Sequence, residues 1–236
     1  GIRDDLVTGV QTCALPIFRH AHSTANGDGV LAGRTSGISL SDLGRKQSRA
    51  LNNTLSDIEP RYIFSSPLER CLQTVEPLAR RMNKKVRTLD GLIEMDYGLW
   101  SGKKLRHLAR EPLWKKIQRE PSSVIFPDGE SFSQAWRRIE KTLRDLQSKY
   151  PKSTLLLCTH GDITKMAIAM TVGIPLNDFQ RIVVDPASLS VIHWEGRERT
   201  LIESNRKLAR IEVSKAGRER RKSLINRRVV GGGSDV

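Results

Sequence analysis

Apolar residues along this chain follow two alternating periods. Leu43, Ala50, Leu51 and Leu55 fall on one face of a helix over Ser41–Ser56, with Ser41 as its N-cap. Tyr62-Ile63-Phe64 is short enough for a buried strand, and a helix from Pro67 to Met82 follows, with Pro67 suited to its first turn. Val86–Leu89 predicts a short strand, and Leu105–Leu108 and Leu113–Ile117 two short helices in an insertion. Phe132, Trp136, Ile139, Leu143 and Leu146 form a helical stripe facing a core. Thr154–Thr159 is a strand and Ile163–Val172 a helix. Leu189–Trp194 and Thr200–Glu203 alternate around Glu195-Gly196-Arg197, a hairpin pattern. Alternating strand and helix signals predict an α/β fold, a three-layer α/β/α sandwich with a mostly parallel sheet.

The start of the chain breaks this regularity. Residues 1–16 show neither period, and Pro16 stands three residues before Arg19, where it should spoil a central strand. Val7 to Ile17 looks like a translated sequencing-adapter read-through, so the natural first strand is expected to have been replaced. The chain is therefore divided into a non-native or disordered segment 1–16, a domain 17–205 and a basic, flexible tail 206–236.

Two histidines end apolar runs: Ile17-Phe18-Arg19-His20 and Leu155-Leu156-Leu157-Cys158-Thr159-His160-Gly161. In an open α/β sheet, groups just past the carboxyl ends of strands converge on the ligand crevice. Two imidazoles delivered there, one beside an arginine, suit a phosphoryl group. One can attack phosphorus while the other helps hold charge.

Charge narrows the partners. The chain carries a net +14 over 236 residues, and from Arg206 onward ten basic residues face only Glu212, Glu219 and Asp235. A solvated terminus is the simpler reading of that tail, so nucleic-acid binding is not expected. The remaining positive excess suits a small anionic substrate. Cys13, Cys71 and Cys158 form no metal-ligand spacing and no disulfide framework, and Cys158 reads as a buried small hydrophobe. No apolar run reaches the roughly 20 residues that span a bilayer, and no secretory signal stands out. A cytoplasmic address without membrane partners is expected. A homodimer is compatible with the sequence.

Four blocks occur in order: Arg19-His20-Ala21-His22-Ser23-Thr24-Ala25-Asn26, Ser65-Ser66-Pro67-Leu68-Glu69-Arg70, Ile93-Glu94-Met95-Asp96-Tyr97-Gly98, and Thr159-His160-Gly161-Asp162. As a set they resemble the histidine phosphatase superfamily, the phosphoglycerate-mutase-like enzymes, over roughly Ile17 to Asn205. Arg34, Pro127–Ser131, Phe179–Ser188 and the Gly231–Gly233 ending look like an actinobacterial branch of phosphatases and phosphomutases. The resemblance implies that His20 is the phosphorylated nucleophile, Arg19 and Arg70 the phosphate clamps, His160 a further donor and Glu94 the proton donor to the leaving oxygen. It also implies substrate or phosphate contacts at Asn26, Gly33, Arg34 and Gly161, a small phosphorylated metabolite as substrate, and no cofactor or metal, the arginines supplying positive charge. Asp162 is expected to cap its helix, and Tyr97, Trp100, Trp114 and Phe126 to wall the substrate's organic part.

Three departures lean toward hydrolysis rather than mutase chemistry. Ala32 precedes Gly33 where mutases carry a hydroxyl, Asp162 stands where they carry asparagine, and the stretch from Glu94 to Gly129 is shorter than a mutase lid. The phosphomutase remains the rival reading. A degenerate phospho-ligand-binding module is the other, opposed by the retention of Arg19, His20, Arg70, Glu94 and His160.

Overall fold

A computed structural model describes residues 13–55, 59–195 and 198–207. Six strands form one sheet in the order β3-β2-β4-β1-β5-β6: β1 Cys13–Arg19, β2 Tyr62–Ser65, β3 Val86–Thr88, β4 Leu155–Thr159, β5 Ser188–Glu195 and β6 Glu198–Lys207. The β3-β2-β4-β1 part is parallel, and β5 and β6 extend it antiparallel. The hairpin lies where alternation predicts it; its turn at Gly196-Arg197 is outside the described residues.

Strand alternation sends side chains to two faces, and each face buries a different cluster. Phe18, Ile63, Leu156, Cys158 and Leu189 pack with Leu51 of helix α2 (Asp42–Thr54), with Leu55 just past its end, and with Cys71, Val75 and Leu78 of α3 (Glu69–Arg81). Leu15, Ile17, Phe64, Leu155 and Leu157 pack with Phe132, Ala135, Ile139 and Leu143 of α6 (Phe132–Lys149) and Ile163, Met166 and Ala167 of α7 (Gly161–Thr171). This is the three-layer sandwich. Short helices α1 (Thr24–Gly27), α4 (Leu105–Leu108) and α5 (Pro112–Arg119) complete the described α-helices. None of the described helices is long and apolar enough to cross a membrane.

Several elements differ from expectation for local reasons. The helix expected from Pro67 begins at Glu69, with Leu68 as N-cap. Proline disfavours helical backbone in the residue before it, so Ser66 stays extended and its side chain is available to the site. On α6, Ala135 is buried with Phe132, Ile139, Leu143 and Leu146, while Trp136 is half-buried against the core. The helix predicted over Ser41–Ser56 runs from Asp42 to Thr54, with Ser41 capping its start through the Gly44 N–H and Leu55 as its C-cap; Ser56 itself lies outside the described residues.

Strand β1 begins at Cys13, so the domain takes in the last residues of the segment 1–16 and continues through Pro16. It also reaches Lys207, two residues past the expected boundary at 205. Proline does leave a gap. The β1–β4 register runs from Ile17↔Leu157 to Arg19↔Thr159, and resumes only as an isolated bridge at Ala14↔Thr154. The His20 N–H donates to the Thr159 carbonyl at 2.9 Å, so by strand parity the Pro16 nitrogen faces the Leu155 carbonyl without a hydrogen to offer. Pro16→Val is expected to raise the unfolding free energy by about 1–2 kcal/mol, since a buried acceptor gains its partner. A higher urea midpoint with an unchanged slope would show this. An unchanged midpoint would mean that the carbonyl is already satisfied.

Candidate active site

Register places the two histidines. Arg19 pairs with Thr159 across adjacent parallel strands, so His20 and His160 emerge side by side from the carboxyl edge. Their ring centroids are 5.2 Å apart at 63°. The same edge carries Ser66 past β2, with Arg70 one turn into α3. The turn ahead of Glu94 is tied to this edge by the Thr159 Oγ1 bond to the Leu92 carbonyl at 2.6 Å. Arg19, His20, Arg70, Glu94 and His160 are all buried. The five predicted catalytic residues, separated by up to 141 positions in sequence, thus meet at one place.

Hydrogen bonds assign the imidazole protons. His20 Nδ1 lies 2.8 Å from the Ala21 carbonyl, which can only accept. That nitrogen carries the hydrogen, leaving Nε2 with its lone pair. Burial first, then the charges of Arg70 and Arg19, push the His20 pKa well below 6.5 against the opposing pull of the Ala21 carbonyl. Arg70 Nη2 lies 3.1 Å from His160 Nδ1, and a guanidinium can only donate, so that nitrogen is the acceptor. The His160 proton is then on Nε2, donated to Ser66 Oγ at 2.7 Å. Burial and Arg70 also hold His160 neutral. Its 3.9 Å approach to Glu94 Oε2 is therefore not an ion pair.

Glu94 behaves in the opposite sense. Burial first, then the nearby Asp162 carboxylate, raise its pKa from 4.5 to about 7, opposed by Arg70, the Met95 N–H and Arg19. A nucleophile freed of its proton and an acid that keeps one at the same pH are the pair that acid–base chemistry needs. The arginines are fixed by carbonyls: Arg19 Nη1 donates to Val184 at 2.7 Å and Arg70 Nη2 to Gly33 at 2.8 Å. Arg70 Nε is a buried donor without a hydrogen-bond partner among the described residues.

The four predicted substrate contacts fare differently. Gly33 lies at the site through its backbone: its carbonyl accepts from Arg70 Nη2 at 2.8 Å, its φ is +52°, and a Cβ would meet Ser101 Oγ at 2.5 Å. Gly161 opens α7 directly after His160, where helix N–H groups lack intrahelical partners. Asn26 spends its carboxamide oxygen on Ser23, whose N–H and hydroxyl donate to it, leaving Nδ2 for a ligand. Arg34 turns away from phosphate duty. Its Nε donates to the Glu94 carbonyl at 3.0 Å, and Nη1 and Nη2 reach Asp96 at 3.4 Å and Glu130 at 3.1 Å. With all three nitrogens so engaged, Arg34 braces the loop that carries Glu94.

Other participants carry no local sequence signal. Arg138 of α6 donates to the Gly91 and Ile93 carbonyls and pairs with Glu130 at 2.8 Å, a second brace for the same loop. Asp162 does not cap α7; His160 holds that position. Instead Asp162 Oδ2 accepts from the Tyr97 hydroxyl at 2.8 Å, and Oδ1 lies 3.7 Å from Lys165 Nζ. Lys165 donates in turn to Gln180 at 2.9 Å. The i, i+3 pair of opposite charges within the apolar run of α7 was the available clue. The proposed aromatic walls are interior instead. Tyr97, Trp100 and Phe126 are buried, Phe126 packs edge-on to Tyr97, Trp100 and Phe132, and the half-buried Trp114 stacks on Trp100 at 6.3 Å. An aromatic side chain gains more from such a cluster than from an open pocket wall.

A sequence profile of the histidine phosphatase superfamily (branch 1) matches residues 15–207. Phosphoserine phosphatase 1 of Hydrogenobacter thermophilus is 30% identical over 196 residues, covering 81% of this chain and 91% of that protein. Two solved structures share the fold. The alpha-ribazole phosphatase of Shigella flexneri aligns with a TM-score of 0.74 at 25% identity, covering 85% of this chain and 100% of that one. The phosphoserine phosphatase of Entamoeba histolytica aligns with a TM-score of 0.75 at 21% identity, covering 83% and 98%. With the profile spanning residues 15–207, nearly the whole described domain, this chain belongs to the histidine phosphatase superfamily, branch 1.

Proposed function

We propose that this protein hydrolyses small phosphomonoesters through a phosphohistidine at His20. One observation carries the reading: two imidazoles 5.2 Å apart stand at the carboxyl edge of the sheet beside two buried guanidinium groups and a buried carboxyl, and the Ala21 carbonyl leaves His20 Nε2 with its lone pair. The relatives named above as phosphoserine and alpha-ribazole phosphatases support a small-metabolite substrate.

The reaction follows from these groups. His20 Nε2 donates its lone pair to phosphorus, and the phosphorus–ester oxygen bond breaks. The Glu94 proton passes to the departing alkoxide, which is otherwise a poor leaving group. Arg19 and Arg70 neutralise charge on the equatorial oxygens, where most of the catalytic demand of phosphoryl transfer lies. An incoming dianion that draws Arg70 Nη2 onto a phosphate oxygen breaks its bond to His160 Nδ1, which can then take a proton from solvent and add a hydrogen bond to the phosphate. Water next attacks phosphorus, the phosphorus–nitrogen bond breaks, and the Glu94 carboxylate takes the water proton. Asn26 Nδ2 and the α7 N-terminus at Gly161 are further phosphate contacts. The substrate is a soluble metabolite met in the cytoplasm, and neither nucleic acid nor a membrane takes part. Of the basic tail, only Arg206 and Lys207 lie within the described residues, and each is engaged, with Glu203 and Asp185 respectively.

A metabolite panel assayed for free phosphate, with and without chelator, tests this. Release is expected from several small phosphomonoesters at rates the chelator leaves unchanged, because guanidinium groups supply the positive charge. Loss of turnover on chelation would contradict the mechanism. Isomerisation in place of phosphate release, when a bisphosphorylated primer is added, would identify the mutase instead.

A further inference from the structure

The Pro127-Asp128-Gly129-Glu130-Ser131 block stands out in the sequence, yet the reaction above uses none of it. In the fold it lies against the loop that carries the acid. The Glu130 N–H donates to the Asp96 carbonyl at 2.9 Å, and the Asp96 N–H donates to Glu130 Oε1 at 2.9 Å. Gly129 permits that approach, since a Cβ there would meet the Asp96 carbonyl oxygen at 2.5 Å. The same Oε1 accepts from Arg34 Nη2 at 3.1 Å and from Arg138 Nη2 at 2.8 Å, charge-assisted bonds of the stronger kind. Both arginines carry the hold onward to backbone. Arg34 Nε donates to the Glu94 carbonyl at 3.0 Å, and Arg138 Nη1 to the Ile93 and Gly91 carbonyls at 2.8 and 3.0 Å. Backbone on both sides of Glu94 is thus fixed through one carboxylate. The Glu94 side chain has no comparable anchor. Among the described residues, its carboxyl accepts a hydrogen bond only from the N–H of its own neighbour Met95, at 3.0 Å. Where the acid sits is therefore decided by the backbone of its loop.

We propose that Glu130 is a positioning residue for proton transfer from Glu94, setting the acid loop so that the carboxyl stands within reach of the leaving oxygen. The inference rests on the phosphatase reading above. Glu130 acts through Asp96, Arg34 and Arg138, not on the substrate. Proton transfer needs hydrogen-bond reach, and a displacement of about 1 Å can cost on the order of 10²-fold. Attack on phosphorus depends on other anchors. Arg19 is held by the Val184 carbonyl, and His20 by the Ala21 carbonyl and the Ala187 N–H. Loss of Glu130 should therefore fall on the acid step and spare the nucleophile. Arg70 is nearer to the network, because its anchor is the Gly33 carbonyl beside Arg34. Damage passing by that route would strike every substrate alike, which makes the two routes separable.

The test is E130A, with kcat/KM measured for an alkyl phosphate and for 4-nitrophenyl phosphate. The alkyl ester needs a proton on its leaving oxygen, whereas nitrophenolate departs as a stable anion. Because kcat/KM reports the first half-reaction, the later role of Glu94 as base does not enter. The alkyl phosphate is expected to lose about 10- to 100-fold, and 4-nitrophenyl phosphate to hold within about threefold. In an E94Q background, adding E130A should change the alkyl phosphate value by less than about twofold, since the group that Glu130 positions is already gone. Should E130A not fold, E130Q keeps an acceptor oxygen and weakens both arginine bonds. The same selectivity is then expected with a loss of roughly 3- to 10-fold on the alkyl ester alone. Equal losses with both substrates overturn the inference, as does an undiminished loss in the E94Q background, or no loss with either substrate in the folded variant. Failure of the wild type to release phosphate from any phosphomonoester would refute the phosphatase reading and this inference with it. An active wild type with equal losses in the variant refutes only the role of Glu130.

Discussion

His20→Ala is expected to lower phosphomonoester turnover by on the order of 10⁴-fold, with a folded, soluble protein remaining. No other described group at the site offers an equivalent nucleophile. His160 has its proton on Nε2 toward Ser66 and its lone pair toward Arg70, so neither nitrogen is free to attack without breaking the clamp. Alanine also leaves the Ala21 carbonyl without its imidazole donor, a modest structural cost against a complete chemical one. Steady-state kinetics with an alkyl phosphate measure the loss, and phosphate-analogue binding measures what survives. Binding should persist within about tenfold, because Arg19 and Arg70 remain, while turnover disappears. Parallel loss of both would mean that His20 holds phosphate rather than accepting it.

Glu94→Gln is expected to cost about 10²- to 10⁴-fold with alkyl phosphates, the range for removal of a general acid. The variant keeps an acceptor for the Met95 N–H, which bonds Glu94 Oε1 at 3.0 Å. It removes the transferable proton and also the base for the second half-reaction. With 4-nitrophenyl phosphate the first half-reaction should survive, giving a burst of nitrophenolate followed by slow turnover. The pH dependence follows from signs. Glu94 must be protonated to act, so wild-type activity on alkyl phosphates falls as pH rises through its value of about 7. His20 must be neutral, and its depressed pKa places the acid limb well below 6.5. The Gln variant should lose the alkaline limb. Persistence of that limb would assign the acid to another residue, with Asp96 the nearest alternative in sequence.

What could be read from the sequence alone divides along physical lines. His20 and His160 were legible because each ends an apolar run, and a strand's carboxyl end is a fixed place in an α/β sheet. Arg70 was legible because a Ser-Ser-Pro junction marks the start of its helix. The braces around Glu94 were not. Arg34, Glu130 and Arg138 meet only after α6 packs against the sheet, and their spacing of 96 and 8 residues carries no period. Arg34, near a phosphate site, therefore reads in the sequence as a substrate or phosphate contact, while in the fold its nitrogens meet Glu94, Asp96 and Glu130. Asp162 read as a helix cap because acidic residues near a helix start usually are, and only its partner Tyr97, 65 positions away, shows otherwise. The aromatic residues of the insertion were misplaced for a related reason: composition indicates that they cluster, not whether the cluster faces in or out. Pro16 is the reverse case. The rule against proline in a central strand is sound, yet one missing hydrogen bond is outweighed by burial of Leu15, Ile17 and Phe18 on both faces of the sheet.

The central claim concerns one bond, between phosphorus and His20 Nε2. Rapid mixing of wild-type protein with an alkyl phosphate, quenching in alkali and mass spectrometry of the peptides would observe it. The account predicts one phosphoryl group on the peptide containing His20, formed and lost at rates compatible with turnover and absent from His20→Ala. Turnover without any phosphorylated peptide, or with the group on His160, would contradict it.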